Sequence, residues 1–263
     1  MKTIRPCYRH ARNLSVRSAF AAFCISLFAA TVPFASAETD PREQIALNMA
    51  ALLRSARAVV SDNQALINDP KKGDKGFTGD FVLKEAKFNF RMETGINIDK
   101  IDPKSLESEL LRAEMRAISE IVDEAQPHIN KKGVGAKGFL PAIFAAKVAT
   151  QFKKNKGDKA EIKLTAPSDY VRNKQNMPDK WEHEVIENRF RTRKHPIGRA
   201  VAAGAQTVGN RQAFRLILPE YYVMSCLPCH GQPKGAPDKT GGKKEGGTLG
   251  ALGGAISVVI YGN

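Results

Sequence analysis

The sequence predicts a single α+β domain, and three observations predict it. Through most of the first half, apolar residues recur at three- and four-residue steps, as on one face of a helix. Three β-patterned segments, 160–165, 211–222 and 255–261, all fall in the second half. No internal repeat and no linker divides the chain after residue 37, so helices from the first half and a sheet from the second should share one core.

Taken in order, Pro41 to about Asn68 carries Ile45, Leu47, Met49, Leu52, Leu53, Val59, Val60, Leu66 and Ile67, which predicts one long amphipathic helix. Asp69-Pro70 ends it, and Lys71 to Asp80 is a polar, Gly- and Lys-rich loop. Phe81 to Met92 fits helix or strand; the alternation of Phe88, Phe90 and Met92 favours a strand at its end. Ser105 to Ile129 is the clearest helix, with Leu106, Leu110, Leu111, Met115, Ile118, Ile121 and Val122 in one stripe. Ser105 followed by Glu107 and Glu109 suits its start. Asn130 to Gly138 breaks the pattern, and Phe139 to Phe152 forms a shorter helix with Pro141 in its first turn. Ala160 to Thr165 alternates as a strand, Pro178 to Arg193 reads as a helix, and Arg211 to Tyr222 as a strand. Lys234 to Gly247 is a Gly/Lys-rich loop, and Ala255 to Tyr261 is a β-branched closing strand.

The N-terminus predicts export. Lys2, Arg5, Arg9, Arg12 and Arg17 form a basic region, and Ala19 to Phe34 an apolar one. That run is shorter than the ~20 residues that span a bilayer. Ala35-Ser36-Ala37 is a small-x-small cleavage site, so residues 1–37 read as a cleaved signal peptide and 38–263 as the mature domain. Cleavage removes five basic groups and no acidic ones, which leaves 36 basic against 27 acidic, or +9. A basic surface of this kind suits an acidic protein partner or an anionic membrane surface, or is simply solvated. Nucleic acid is not expected for an exported chain. No later apolar run reaches membrane-spanning length, so a soluble periplasmic protein is expected. Cys7 and Cys24 leave with the signal, and only Cys226 and Cys229 remain.

Those two cysteines lie in Cys226-Leu227-Pro228-Cys229-His230, the C-x-x-C-H pattern of covalent c-type haem attachment. The sulfurs would hold one haem c through thioethers, and His230 would be the proximal iron ligand. Zinc would need two more ligands at close spacing, and none is present in the sequence. A dithiol redox site and a plain disulfide are the other readings of C-x-x-C.

Several further stretches stand in a telling order: Lys137-Gly138-Phe139-Leu140-Pro141-Ala142-x-Phe144, Lys163-Leu164-Thr165, and Arg172-Asn173-x-x-Asn176-x-Pro178-Asp179-x-Trp181-Glu182. The haem motif with Gly231 and Pro233 follows, then Gly253-Gly254-Ala255-Ile256-Ser257-Val258. This series resembles the c-haem PAS-like sensor domains of the Tll type, over roughly residues 40–263. The resemblance implies a PAS-like antiparallel sheet flanked by helices, a long N-terminal helix among them, around one haem c in a redox or sensing role. Members often carry a distal cysteine on the N-terminal helix; here Ala58 to Asn63 has no thiol. With Asn263 as the last residue, an output module is not expected either.

Candidates for the other side of the iron are His128, after the long helix, and His195, in a basic loop before Pro196; a water-bound or open site is the alternative. His183, between Glu182 and Glu184, reads as a surface histidine, and the mature methionines as packing. Arg172 and Asn173 could hold a propionate, although Asn173 and Asn176 could equally set turns and Asp179 start a helix. Trp181 could pack on the porphyrin edge or in the core, and Tyr222 could line the pocket. The leading expectation is a monohaem redox or ligand sensor acting on a signalling or redox partner. An electron-transfer cytochrome is the alternative. A peroxidase ranks last, because no distal acid–base pair is identifiable.

Overall fold

The computed structural model describes residues 40–192 and 202–262. The expected signal peptide therefore lies outside the described residues. Among them the fold is α+β: eight helices and a four-stranded antiparallel sheet. Among the described residues no helix is long and apolar enough to cross a membrane.

The first helix, α1 (Pro41–Asp62), starts where Asp40 accepts from the Arg42 backbone N–H and Pro41 occupies the first turn. The missing proline N–H costs nothing there. Its core side buries Ala46, Met49, Ala50, Leu53, Ala56 and Val60. A break at Asn63 separates it from α2 (Gln64–Ile67), so the expected long helix forms in two pieces.

The next segment corrects the sequence reading. Residues expected to end as a strand form a helix throughout, α3 (Gly79–Thr94), capped by the Thr78 side chain and closed by Gly95 at φ 74°. Its buried positions, Gly79, Val82, Ala86 and Phe90, follow helical spacing. Phe88 and Met92 are 61% and 71% exposed, four residues apart on the outer face. The apparent alternation arose because two apolar residues on the solvent side flank a buried one.

Ser105 caps α4 (Leu106–Glu124) through the Ser108 N–H, as expected, and the short α5 (Gln126–Ile129) follows. Helix α6 (Pro141–Lys156) leads into β1 (Ala160–Thr165). Asp179 and Glu182 form a capping box at the start of α7 (Lys180–Val185), which runs on as a π-helical turn, Ile186–Phe190. Then come β2 (Ala202–Val208), β3 (Arg211–Tyr221), the single turn α8 (Leu227–His230) and β4 (Leu252–Tyr261).

The sheet order is β1-β4-β3-β2. One face, with Ile162 and Leu164, Leu216 and Leu218, and Ile256, Val258 and Ile260, packs into the main core with α1, α3, α4 and α6. On the other face Ile217 and Ala255 meet Val185, Ile186, Phe190 and Trp181 from α7 and its extension. Covering both faces makes β3 nearly continuously buried. Buried Glu182 accepts from Lys163 at 2.6 Å and Arg215 at 3.1 Å, and Arg215 lies over the Trp181 ring at 4.5 Å.

The ends of the sheet differ. Glu109 at the start of α4 pairs with Lys156 and Lys159 beside the start of β1. At the opposite end lie Thr165, Glu220 and Gly254, and there Arg54 and Arg57 of α1 grip Glu220 at 2.7 and 2.9 Å. Two long connections, 166–179 and 222–251, leave from this second end.

One buried group sits awkwardly in the helical layer. Glu114 of α4 is fully buried, and neither carboxyl oxygen has a hydrogen-bond partner. Burial alone pushes its carboxyl well above the ordinary glutamate range. The folded chain therefore keeps a proton that the unfolded chain releases above about pH 4.3, and stability falls as pH rises past that value. Glu114→Leu is expected to stabilise the fold by about 1–3 kcal/mol at pH 7 and by less near pH 4. Denaturant titrations across that pH range measure the difference; a gain independent of pH would contradict the assignment.

Candidate functional site

The site is built on the connection between β3 and β4. These strands are hydrogen-bonded neighbours, so the intervening stretch 222–251 must leave and return within one strand spacing. Its ends are tied together by the Tyr222 N–H donating to the Ala251 carbonyl at 2.9 Å and the Gly250 N–H donating to the Tyr222 carbonyl at 2.8 Å. A connection this long, with only a few helical turns of its own, is uncommon in a folded domain and usually functional.

Within it, a 3-10 turn Met224–Cys226 runs into α8, with Pro228 in the first turn. This places Cys226, Cys229 and His230 on consecutive turns. Both thiols are free and partly exposed. Burial, and then the Asp238 charge, push the Cys229 thiol up despite Arg172 nearby. That is opposite to the depressed value that activates a dithiol redox centre. Val223 and Met224, which open the turn, are 55% and 68% exposed, and Leu249, next to the Gly250 whose N–H bonds the Tyr222 carbonyl, is 61% exposed.

His230 is held from two sides. Its ring stacks on Tyr222, with centroids 5.4 Å apart and planes 22° from parallel. Tyr222 is itself wedged between two backbones. A Cβ on Gly247 would lie 2.3 Å from the tyrosine ring, and one on Gly253 2.5 Å, so both positions need glycine for close approach. His230 Nδ1 is 2.7 Å from Glu245 Oε2, and among the described residues its other ring nitrogen has no hydrogen-bond partner.

Arg172, from the 166–179 connection, ties this arrangement together. Its guanidinium donates to Glu245 Oε1 at 2.7 Å, to the Cys229 and Lys243 carbonyls at 3.0 Å, and to Asp238. Asp238 and Glu245 are 0% and 6% exposed, so Arg172 neutralises two buried carboxylates at once. For each acid, burial favours the neutral form, but hydrogen bonds outweigh it and hold the group below its usual range. Those bonds come from Thr240 and Arg172 to Asp238, and from Arg172 and His230 to Glu245.

Five of the residues singled out from sequence, Cys226, Cys229, His230, Tyr222 and Arg172, thus come together. Of the others, those among the described residues do not join them. Asn173 caps the 3-10 turn Lys174–Asn176, the turn-setting role. Trp181 packs on the second face of the sheet. His128 is exposed, and its Nε2 lies 2.5 Å from the Lys137 carbonyl. His183 is exposed beside Ser168, and His195 lies outside the described residues. Two members were missed, Asp238 and Glu245. They are the two acids in a loop otherwise rich in Gly and Lys, and that contrast was the available signal. Among the described residues no group of three or more His, Cys, Asp or Glu is placed to hold a metal ion.

The family model described as Tll0287-like matches residues 37–260, well over half of the chain. No curated protein and no solved structure matches it.

Removing Arg172 should expose what it balances. Arg172→Met leaves Asp238 and Glu245 buried without a counter-charge and is expected to cost about 2–4 kcal/mol at pH 7. The figure is set below that of a fully enclosed pair because the guanidinium is 33% exposed. Both acids titrate lower in the fold than in the unfolded chain. Their stabilisation is present above about pH 4 and lost as pH falls through the folded values. The penalty should therefore shrink below pH 4, which denaturation of the variant and parent at pH 3.5 and 7 would measure.

Proposed function

The chain belongs to the Tll0287-like family, and we propose that it is an exported monohaem c-type protein of PAS-like fold whose haem serves as a redox or ligand sensor. The observation that carries this reading is the turn itself. Two free, partly exposed thiols and one histidine stand on consecutive turns that open with two exposed apolar side chains, Val223 and Met224. Exposed apolar side chains grouped on a surface mark a place for a ligand, and a porphyrin matches them in chemistry.

Bound haem supplies an iron that changes oxidation state or takes a ligand. The chain's residues do the rest. Cys226 and Cys229 would each add S–H across a vinyl double bond, hydrogen going to the second vinyl carbon, and no oxidant is needed. The thiols must be reduced for this. His230 would present Nε2 to the metal, since Nδ1 faces Glu245. Tyr222 and the glycines against it would fix the plane of the imidazole.

A second reading, a periplasmic electron carrier, draws on a separate observation. The loop over the motif carries exposed Lys234, Lys239 and Lys243, a surface complementary to an acidic redox partner. The two readings part on whether the iron changes ligand.

The protein matured in a periplasm should show covalent haem in its absorption spectrum, and Cys226→Ala with Cys229→Ala should lose all haem to acid extraction. Haem retained through extraction by that double variant, or no haem in the parent, would sink the proposal. A low-spin spectrum unmoved by CO favours the carrier or a redox sensor. A high-spin spectrum that shifts with CO favours ligand sensing.

A further inference from the structure

The haem motif by itself requires two thiols and an imidazole; it does not require a carboxylate behind the imidazole. Here one is supplied, fifteen residues downstream and from a different part of the loop. Glu245 Oε2 lies 2.7 Å from His230 Nδ1, and Glu245 is 6% exposed. Its Oε1 accepts from Arg172 at 2.7 Å. The Gly247 N–H donates to the His230 carbonyl at 2.7 Å, so the segment carrying Glu245 is pinned to the histidine's own backbone. This is a built contact, fixed at both ends.

A carboxylate at Nδ1 has two consequences. It places the ring proton on Nδ1, which leaves the Nε2 lone pair for a metal. It also draws on that proton more strongly than a neutral carbonyl would, which makes the imidazole a more basic ligand. A more basic ligand favours the more positive metal. Resting on the haem reading above, we propose that Glu245 is the positioning residue of the proximal histidine: it selects the ring nitrogen that faces the iron and stabilises oxidised iron, which lowers the reduction potential. Arg172, which donates to Oε1 at 2.7 Å and more weakly to Oε2 at 3.2 Å, bounds the effect by sharing the charge.

The competing explanation is that Glu245 only closes the loop. Redox titration of three variants separates the two. Glu245→Gln keeps the shape, an oxygen acceptor and the reach to Arg172, and removes the charge. Its ferric-to-ferrous equilibrium should move about tenfold towards ferrous, an upward shift of about 59 mV for one electron. Glu245→Asp keeps the charge but withdraws it from Nδ1, and should shift the potential in the same direction. If the glutamine variant fails to fold, the aspartate variant alone decides. Asp238→Asn removes an equally buried charge that does not touch His230 and should shift the potential far less.

An unchanged potential in the Glu245 variants, with thermal midpoint and haem content as in the parent, would overturn the inference and leave haem attachment standing. A shift in Asp238→Asn as large as in Glu245→Gln would also overturn it, since general charge would then suffice. Absence of covalent haem from the parent would remove both, and acid extraction reports that separately.

Discussion

The pairing of β3 with β4 is the constraint on which the rest depends. β4 is the last strand in the chain, yet it lies inside the sheet, with β3 on one side and β1 on the other. Its partners include Thr165, ninety residues before Ala255 in sequence. Until β4 docks, the sheet has no centre and the 222–251 excursion has no return point. The cysteines and the histidine are close in sequence whatever the chain does. The second contacts of His230, by contrast, come from residues brought back only by that docking. Local spacing brings the two thiols and the imidazole together, and non-local pairing decides how the histidine among them is held.

Charge is buried in this protein under two different regimes. At the site, Asp238 and Glu245 are buried but ionised, because one guanidinium reaches both and backbone and side-chain donors satisfy their remaining oxygens. In the helical layer, Glu114 is buried with no donor at either oxygen, and burial drives it towards the neutral form. The same physical cost, taking a carboxylate out of water, is answered by counter-charge in one place and by a proton in the other. Only the first arrangement leaves a fixed negative charge to act on a neighbour.

Most of the fold was legible because its helices announce their caps. Ser105 and Asp179 cap α4 and α7, and Pro141 opens α6, where the sequence placed them. The errors have equally local causes. In α3 the exposed Phe88 and Met92 imitate alternation, because helical positions i and i+4 bracket the buried Phe90. β2 was not foreseen, since Ala202-Ala203-Gly204-Ala205 carries no β-branched signal. Only the two-residue turn Gly209-Asn210 before a strong strand marks its hairpin. At the site, the motif and Tyr222 were legible from adjacency in sequence. Arg172 was noticed for a different partner, and Glu245 was hidden because a lone acid in a Lys-rich loop reads as solvated surface until the fold returns it to His230.

That hidden residue alters what the surrounding loop can be. Lys234, Lys239 and Lys243 stand exposed on the same excursion whose inner side carries Asp238 and Glu245. The outer side is basic and solvent-facing. The inner side is acidic and locked to Arg172 and His230. Between them the loop is supported by a bridge, Pro237 to Lys243, by the backbone bonds that close its turns, and by side-chain bonds from Gln232 to the Gly246 carbonyl and from Thr240 to Asp238. The lysines and the carboxylate that contacts His230 thus stand on the same short excursion, Lys243 two residues before Glu245. On the haem reading, the basic surface of this loop and the carboxylate behind the histidine belong to one excursion, so a change at either would reach the other through the same short stretch of backbone.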